Sequence, residues 1–505
     1  MGSKGGLKVN PLNDKPTIFK NNTAAKYSGA IAFETNTGSN RINGAHFIGN
    51  SAQWGGALEV YAAEGQETRV IFDGCVFEGN YAVDNGGDAA GRGGAIFHEC
   101  EANIVLLNST LTGNYSENNG GAIAVMGWDD LQIFQTEFVG NHAKSGGAIY
   151  TEGASDKYAN LYIDECSFDS NYITATYGTT MNINGIGEFC MNNTSIRGSY
   201  NTTSQSGDKA SWVAMDVVQN FTSISNCSII GNTQYGSDAS SLTTVSGAGL
   251  ITLWGENHYF TNNIIVPESD AVVSILGGGS DKIDLSYNHY NTVSGVTSTD
   301  NGGNTTGNTA ADFGSLAWTD GCWMWNGQID GAAPTMMTQE AVLARLNNVC
   351  PAFVEWCGND INYDQRYVLR TGSWWPGACQ STVDDSSVYL NVTTYNILKS
   401  DGDARHSTYM SMDKQEVRQA LAQTIASTQS DIIGFGELDQ TNLPGGANDL
   451  AELCASINDY TWSLDWPNDI SKSGWLNPSY SASHEYSTGF AYNNAKLNLL
   501  EAGYV

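Results

Sequence analysis

A two-part phrase recurs along the first half of this chain: Phe-x-x-Asn, a few residues, then Gly-Gly-Ala-Ile or a close relative. It reads Phe47-Ile48-Gly49-Asn50 with Gly55-Gly56-Ala57-Leu58, and Phe77-Glu78-Gly79-Asn80 with Gly93-Gly94-Ala95-Ile96. It returns at residues 111–114 with 120–123, and at 138–141 with 146–149. Weaker copies start at Phe19, Phe168, Ile196, Ile229 and Phe260. The asparagines fall about 30 residues apart, and a period between about 20 and 50 residues means stacked units rather than a conventional globular core.

Each unit is too short to be a domain and contains no long helical pattern. Short apolar runs such as Thr68-Arg69-Val70-Ile71-Phe72 and Asn160-Leu161-Tyr162-Ile163 lie between turn residues and read as strands. Three short strands in about 30 residues describe one coil of a parallel β-helix, in which like residues stack from coil to coil. The recurrent Phe then forms an interior column, and each recurrent Asn can hydrogen-bond the Asn above and below. The Gly pair supplies backbone freedom at a corner where a side chain would collide. The apolar share of 41% excludes a disordered low-complexity tract.

The doublet resembles the repeats of chlamydial polymorphic outer-membrane proteins and related bacterial surface β-helix proteins, over roughly residues 15–265. That resemblance implies a right-handed, surface-exposed solenoid at the cell surface or outside the cell. It transfers no catalytic residue, because the repeated positions are structural. The fold expected is mainly β: a right-handed parallel β-helix over residues 1–300, followed by a truncated α/β domain of the four-layered deoxyribonuclease-like type.

The formal charge is −31 with 22 basic residues, a balance that repels nucleic-acid backbones and anionic membranes and can attract divalent cations. Among the 10 cysteines, Cys75, Cys166 and Cys227 precede the Phe-x-x-Asn phrase at equivalent places and read as buried rung residues. Cys322, Cys350, Cys357 and Cys379 cluster further on and can pair, with connectivity open; no zinc spacing is present. The opening Met1-Gly2-Ser3-Lys4-Gly5-Gly6 has no apolar core, so neither a signal peptide nor a transmembrane anchor is expected in it. The first rung follows almost at once, which points to a piece of a longer protein.

Residues 301–380 read as a region closing the open end of the solenoid. Thr338 is an N-cap, and Val342, Leu343, Leu346, Val349 and Phe353 share one helix face. Asp364-Gln365-Arg366 and Pro376-Gly377-Ala378-Cys379-Gln380 resemble the Asp-x-x-Gly-x-x-Arg … Pro-Gly-Ala-Tyr terminus of bacterial surface β-helix proteins, with Gln365 in place of the Gly. The alternative is a sugar platform built on Trp318, Trp323 and Trp325, since flat aromatic faces stack on pyranose rings. Residues 381–387 form a short polar linker.

From residue 388 the pattern changes. Val388 to Tyr395 is a strand by β-branched content, residues 413–429 a helix capped by Asp413, and Asp431 to Phe435 a second strand. Strand–helix–strand implies parallel strands joined by a right-handed crossover, which brings Asn396 and Glu437 to one rim of the sheet. Thr394-Tyr395-Asn396-Ile397 and Asp431-Ile432-Ile433-Gly434-Phe435-Gly436-Glu437-Leu438 resemble the first two motifs of the endonuclease/exonuclease/phosphatase superfamily. The resemblance makes Glu437 a carboxylate ligand of a divalent metal and Asn396 a group orienting metal or phosphate. Gly436 replaces that family's Gln. Ser487 to Tyr492 looks like its next core strand, with Glu485 as a catalytic-side acid. Such a carboxylate–amide pair suits weakly bound Mg²⁺ or another divalent cation, which polarises a phosphate oxygen. The family's Gly-Asp-x-Asn and Ser-Asp-His motifs are not reached by Val505, and His406 and His484 read as surface residues, so no turnover is expected from this chain.

Three functions remain. One is a secreted or surface bacterial protein joining a β-helix to a metal-dependent phosphodiesterase or phosphatase unit. The second is a non-enzymatic adhesin whose partners are glycans or other surface polymers. The third is a polysaccharide lyase or hydrolase acting through the solenoid, which the thin supply of Lys and Arg across the rungs disfavours. Nucleic acid is not favoured as a partner: residues 381–505 carry 16 acidic against 6 basic side chains, a net −10.

Overall fold

The computed structural model describes residues 6–379, apart from 13–14, 35–38, 64–67, 87–89, 129, 154–156, 176, 204–207, 216–217 and 371, together with 392–396, 432–439 and 486–492. The chain divides into two units, residues 1–383 and 384–505.

The first unit is a parallel β-solenoid of the right-handed type. A representative coil runs Ile96–Cys100, Ala102–Leu107, Thr110–Thr112 and Tyr115–Ser116. The first two strands of each coil belong to one wide sheet, the third to a second sheet, and the fourth to a narrow third sheet. A coil therefore has four strands rather than the three expected, because one face is built from two consecutive strands.

The Phe column forms as the repeat requires. Phe19, Phe47, Phe77, Leu111, Phe138, Phe168, Ile196 and Ile229 occupy one register position in successive strands. Phe47 and Phe77 stack with centroids 4.9 Å apart, and Phe138 and Phe168 at 4.6 Å. The Asn ladder runs from Asn22 to Asn171. In each step the Nδ2 of one Asn donates to the Oδ1 of the next, at 2.8–3.0 Å. The backbone N–H of the lower Asn donates to that same oxygen. The first glycine of each pair has a left-handed φ, as at Gly93 (67°) and Gly120 (68°). The second faces the next coil: a Cβ on Gly94 would sit 2.0 Å from Gly121 O. Cys75, Cys166 and Cys227 are buried in the core.

The copy assigned at Phe260 to Asn263 is out of place. Phe260 pairs with Ile224 in the wide sheet, and Asn263 falls in the column of Cys227, whose N–H donates to its Oδ1. Asn263, Asn288 and Asn304 form a second, separate ladder. The residues that continue the Phe column on that coil are Ile264–Val266, beside Ser228–Ile230.

After Asp300 the chain lays one more partial rung, with Thr305 N–H donating to Asn288 O. Residues 313–379 then run back along the flank of the solenoid rather than across its end. The expected single helix is two, Gln339–Val349 and Pro351–Cys357, because Pro351 cannot continue the first. Thr338 caps the first by accepting from Ala341 N. Val342, Leu346 and Phe353 pack on the outer face of the wide sheet at Tyr162 and Cys190. Cys322 pairs with Cys379 in a disulfide, whereas Cys350 and Cys357 are buried free thiols. In the terminal motif the left-handed residue is Tyr367 (φ 60°), so Tyr367 and not Gln365 stands at the position of the Gly. Asp364 accepts the N–H groups of Arg366 and Val368 and holds that turn.

In the second unit, Val392–Asn396 pairs in parallel with Ile432–Asp439, and the latter pairs antiparallel with Tyr486–Tyr492. The helix expected over 413–429, Glu485, His406 and His484 lie outside the described residues.

Candidate functional site: an acidic cleft at the seam between solenoid and flank

One corner of the solenoid, between the wide sheet and the Phe sheet, turns through a left-handed residue on every coil. Its occupants in order are Gly44, Gly74, Asn108, Gln135, Glu165, Asn193, Asn226, Asn262 and Tyr287, with φ from 43° to 62°. Gly and Asn tolerate that conformation, and Gln and Glu tolerate it less well. Along the later coils this corner anchors the returning flank segment. Asn193 Nδ2 donates to Tyr363 O at 2.8 Å, and Asn262 Nδ2 to Trp375 O at 2.9 Å. Arg370, 1% exposed, donates through Nη2 to Asn193 Oδ1, Gly377 O and Ala378 O, each at 2.9 Å. This guanidinium pins the segment to the corner.

At the two coils where Gln135 and Glu165 take the corner, solenoid and flank separate into a cleft of about 240 Å³. Its walls are Gln135, Thr136, Glu137, Glu165 and Ser167 from the solenoid, and Asp320, Gln365, Arg366 and Tyr367 from the flank. Gln135 Nε2 donates to Glu165 Oε2 at 2.7 Å, and Gln365 Nε2 donates to Gly321 O at 2.7 Å. Two buried oxygens, Glu165 Oε1 and Gln365 Oε1, have no hydrogen-bond partner among the described residues. Glu165 is 3% exposed. Burial first, and the neighbouring Asp164 charge second, hold its carboxyl well above the usual carboxylate range. Arg366 is engaged by Asp364 at 2.8 Å, so the balance of the cleft is negative.

The tryptophan platform considered from sequence does not assemble. Trp325 is buried against Phe313, and Trp318 meets Trp323 edge-on with its face under the Arg197 guanidinium at 4.2 Å. Sequence reasoning passed over the cleft. Its only linear signal was the substitution of Gln and Glu into a Gly/Asn turn column, which is invisible until the coils are in register.

In the second unit, Asn396 pairs with Gly436, the neighbour of Glu437. The register against the third strand shifts between Phe435 and Leu438, which inserts one extra residue at Gly436-Glu437. Among the described residues, no group of three or more His, Cys, Asp or Glu side chains is disposed to hold a metal ion. Also among them, no helix is long and apolar enough to cross a membrane.

Residues 135–152, which include the cleft residues Gln135, Thr136 and Glu137, match the Chlamydia polymorphic membrane protein repeat. Comparison with curated proteins and with solved structures returns no match.

Proposed function

We propose that this chain is an adhesin-like scaffold of a bacterial cell surface, and that the seam cleft is where it contacts a glycan. The match of residues 135–152 to the polymorphic membrane protein repeat carries the reading, because it falls on the coil that forms one wall of the cleft. The physical logic agrees with it. The Asn ladder satisfies the buried polar groups of the rungs internally, so the solenoid is a rigid rod that leaves its flank available for recognition. The cleft joins carboxylates and amides, which can bracket sugar hydroxyls, to the half-exposed ring of Tyr367, which can cover a sugar's C–H face. The test is retention of labelled chain on a panel of immobilised polysaccharides, compared with Tyr367→Ala. Retention lost in the variant supports the assignment. Retention of no polysaccharide, or retention that the variant leaves unchanged, removes it.

A second reading concerns residues 388–505 as the opening of a metal-dependent phosphoester hydrolase. Its support is the parallel register that sets Asn396 beside Gly436 and Glu437, together with the extra residue at that point. Such bulges are over-represented beside active sites. Glu437 and Asn396 would bind Mg²⁺ and Glu485 would serve as an acid. The measurement is Mg²⁺-dependent cleavage of nitrophenyl phosphate mono- and diesters by a chain extended to supply the family's distal Asp and His motifs, with and without Glu437→Gln. Cleavage that the substitution leaves unchanged would rule out the metal assignment.

A further inference from the structure

We infer that the seam cleft selects a protonated amine, and that its ligand is an amino-sugar residue with a free ammonium group rather than a neutral or acidic sugar. This rests on the glycan-binding reading above and narrows it to one chemical class.

The strongest observation is Glu165. It is 3% exposed, forms part of the cleft wall, and its Oε1 has no donor although Oε2 is held by Gln135 at 2.7 Å. An unpartnered buried oxygen costs about 1–3 kcal/mol, and a cation set against this carboxyl favours its ionised form, so an ammonium would take the place of the proton that burial holds there. Gln365 Oε1, on the opposite wall, is a second such acceptor. Both residues line the cleft, to which Glu137 and Asp320 add negative charge and whose Arg366 is engaged through Nη2 by Asp364. Glu137 lies against the flank turn, its Oε1 3.5 Å from where a Cβ on Gly321 would stand. A cation is therefore attracted and negative charge is repelled.

The size of the cleft separates an organic cation from a bare ion. A volume of about 240 Å³ is several times what one ion needs, and no three carboxylates among the described residues converge as a metal would require. An ammonium supplies three donors from one point, which suits acceptors on two walls. Ring hydroxyls supply the remainder, to Gln135, Thr136 and Ser167. A carboxylate or sulfate sugar would meet Glu137, Glu165 and Asp320 directly, and an N-acetyl group would replace the charged donor with a neutral amide.

The test uses the full chain and isothermal titration with three probes: the glucosamine trisaccharide, its fully N-acetylated form, and CaCl₂. The amine trisaccharide should bind about tenfold or more tightly than the acetylated one, an advantage that shrinks as salt is raised. Glu165→Gln and the solvent-facing Glu137→Gln should each weaken amine binding severalfold. Glu137→Gln carries the test if Glu165→Gln fails to fold. Equal affinity for the two sugars would overturn amine selectivity while leaving glycan binding in place. Strong Ca²⁺ binding that displaces the amine would overturn it in favour of a metal site. No sugar bound here, while other polysaccharides are still retained through Tyr367, would overturn this inference alone. Loss of both would take the glycan reading with it.

Discussion

Replacing Asn114 by Ala removes one link of the Asn ladder, and the cost can be worked from its bonds. Asn114 is fully buried. Its Oδ1 accepts from Asn80 N at 3.0 Å and Asn80 Nδ2 at 2.9 Å. Its Nδ2 donates to Phe77 O at 3.0 Å and Asn141 Oδ1 at 2.9 Å. Alanine deletes all four bonds. Asn141 Oδ1 keeps the Asn114 N–H, but the Asn80 N–H and one of the two Asn80 Nδ2–H groups are left unpaired in the interior. At about 1–3 kcal/mol for each of the two orphaned groups, the expected loss is roughly 2–6 kcal/mol. The matched control is Asn22→Ala at the exposed start of the ladder, where the side chain donates to Asn50 Oδ1 alone and Asn50 Oδ1 keeps the Asn22 N–H. That change should cost about 0.5–1 kcal/mol. Solenoids unfold in segments, so amide hydrogen exchange at Asn80 is a cleaner readout than a single melting point. Equal effects of the two substitutions, or a loss below about 1 kcal/mol for Asn114→Ala, would refute the claim that the ladder holds the coils.

Other substitutions probe separate parts of the argument. Gly94→Ala should prevent normal stacking, since its Cβ would stand 2.0 Å from Gly121 O. Gly113→Ala meets nothing within 4 Å and should cost only about 1–2 kcal/mol for its left-handed φ of 59°, as circular dichroism melts would show. Burial, reinforced by Glu99 and Glu34, pushes Glu59 from an ordinary 4.5 up to about 8, so the folded state binds this proton more tightly than the unfolded chain does. Its contribution is complete below about pH 4.5 and is lost as pH rises through about 8. Glu59→Gln should reduce the fall in stability between pH 5 and pH 8 by on the order of 2 kcal/mol after allowance for screening, and an unchanged fall in urea titrations would count against it. The Cys322–Cys379 bridge spans 57 residues. On a chain-entropy estimate its removal in a double Ser variant costs about 4 kcal/mol, confined to the flank, and proteolysis should then release the flank before the coils.

The solenoid was legible from the chain because every coil pairs with its neighbours. Phe77 meets Phe47 and Leu111, and Asn80 meets Asn50 and Asn114, one period away in each direction. Stacking converts a spatial column into a linear repeat, so the residues alone determined the Phe column, the Asn ladder up to Asn171 and the Gly corners. The same logic misled at Phe260 and Asn263, where two different columns happen to carry an aromatic and an asparagine at the spacing of the motif. The flank obeyed no period. Arg370 finds Asn193 across 177 residues, and Gln365 reaches Gly321 across 44. Contacts of that range leave no repeating trace, so only the tertiary structure decided that residues 313–379 return along the corner column. The cleft exists because of that return. Gln135 and Glu165 are two polar residues in a turn until a second wall stands opposite them, and it is the wall that deprives Glu165 of water and makes its unmet acceptor informative.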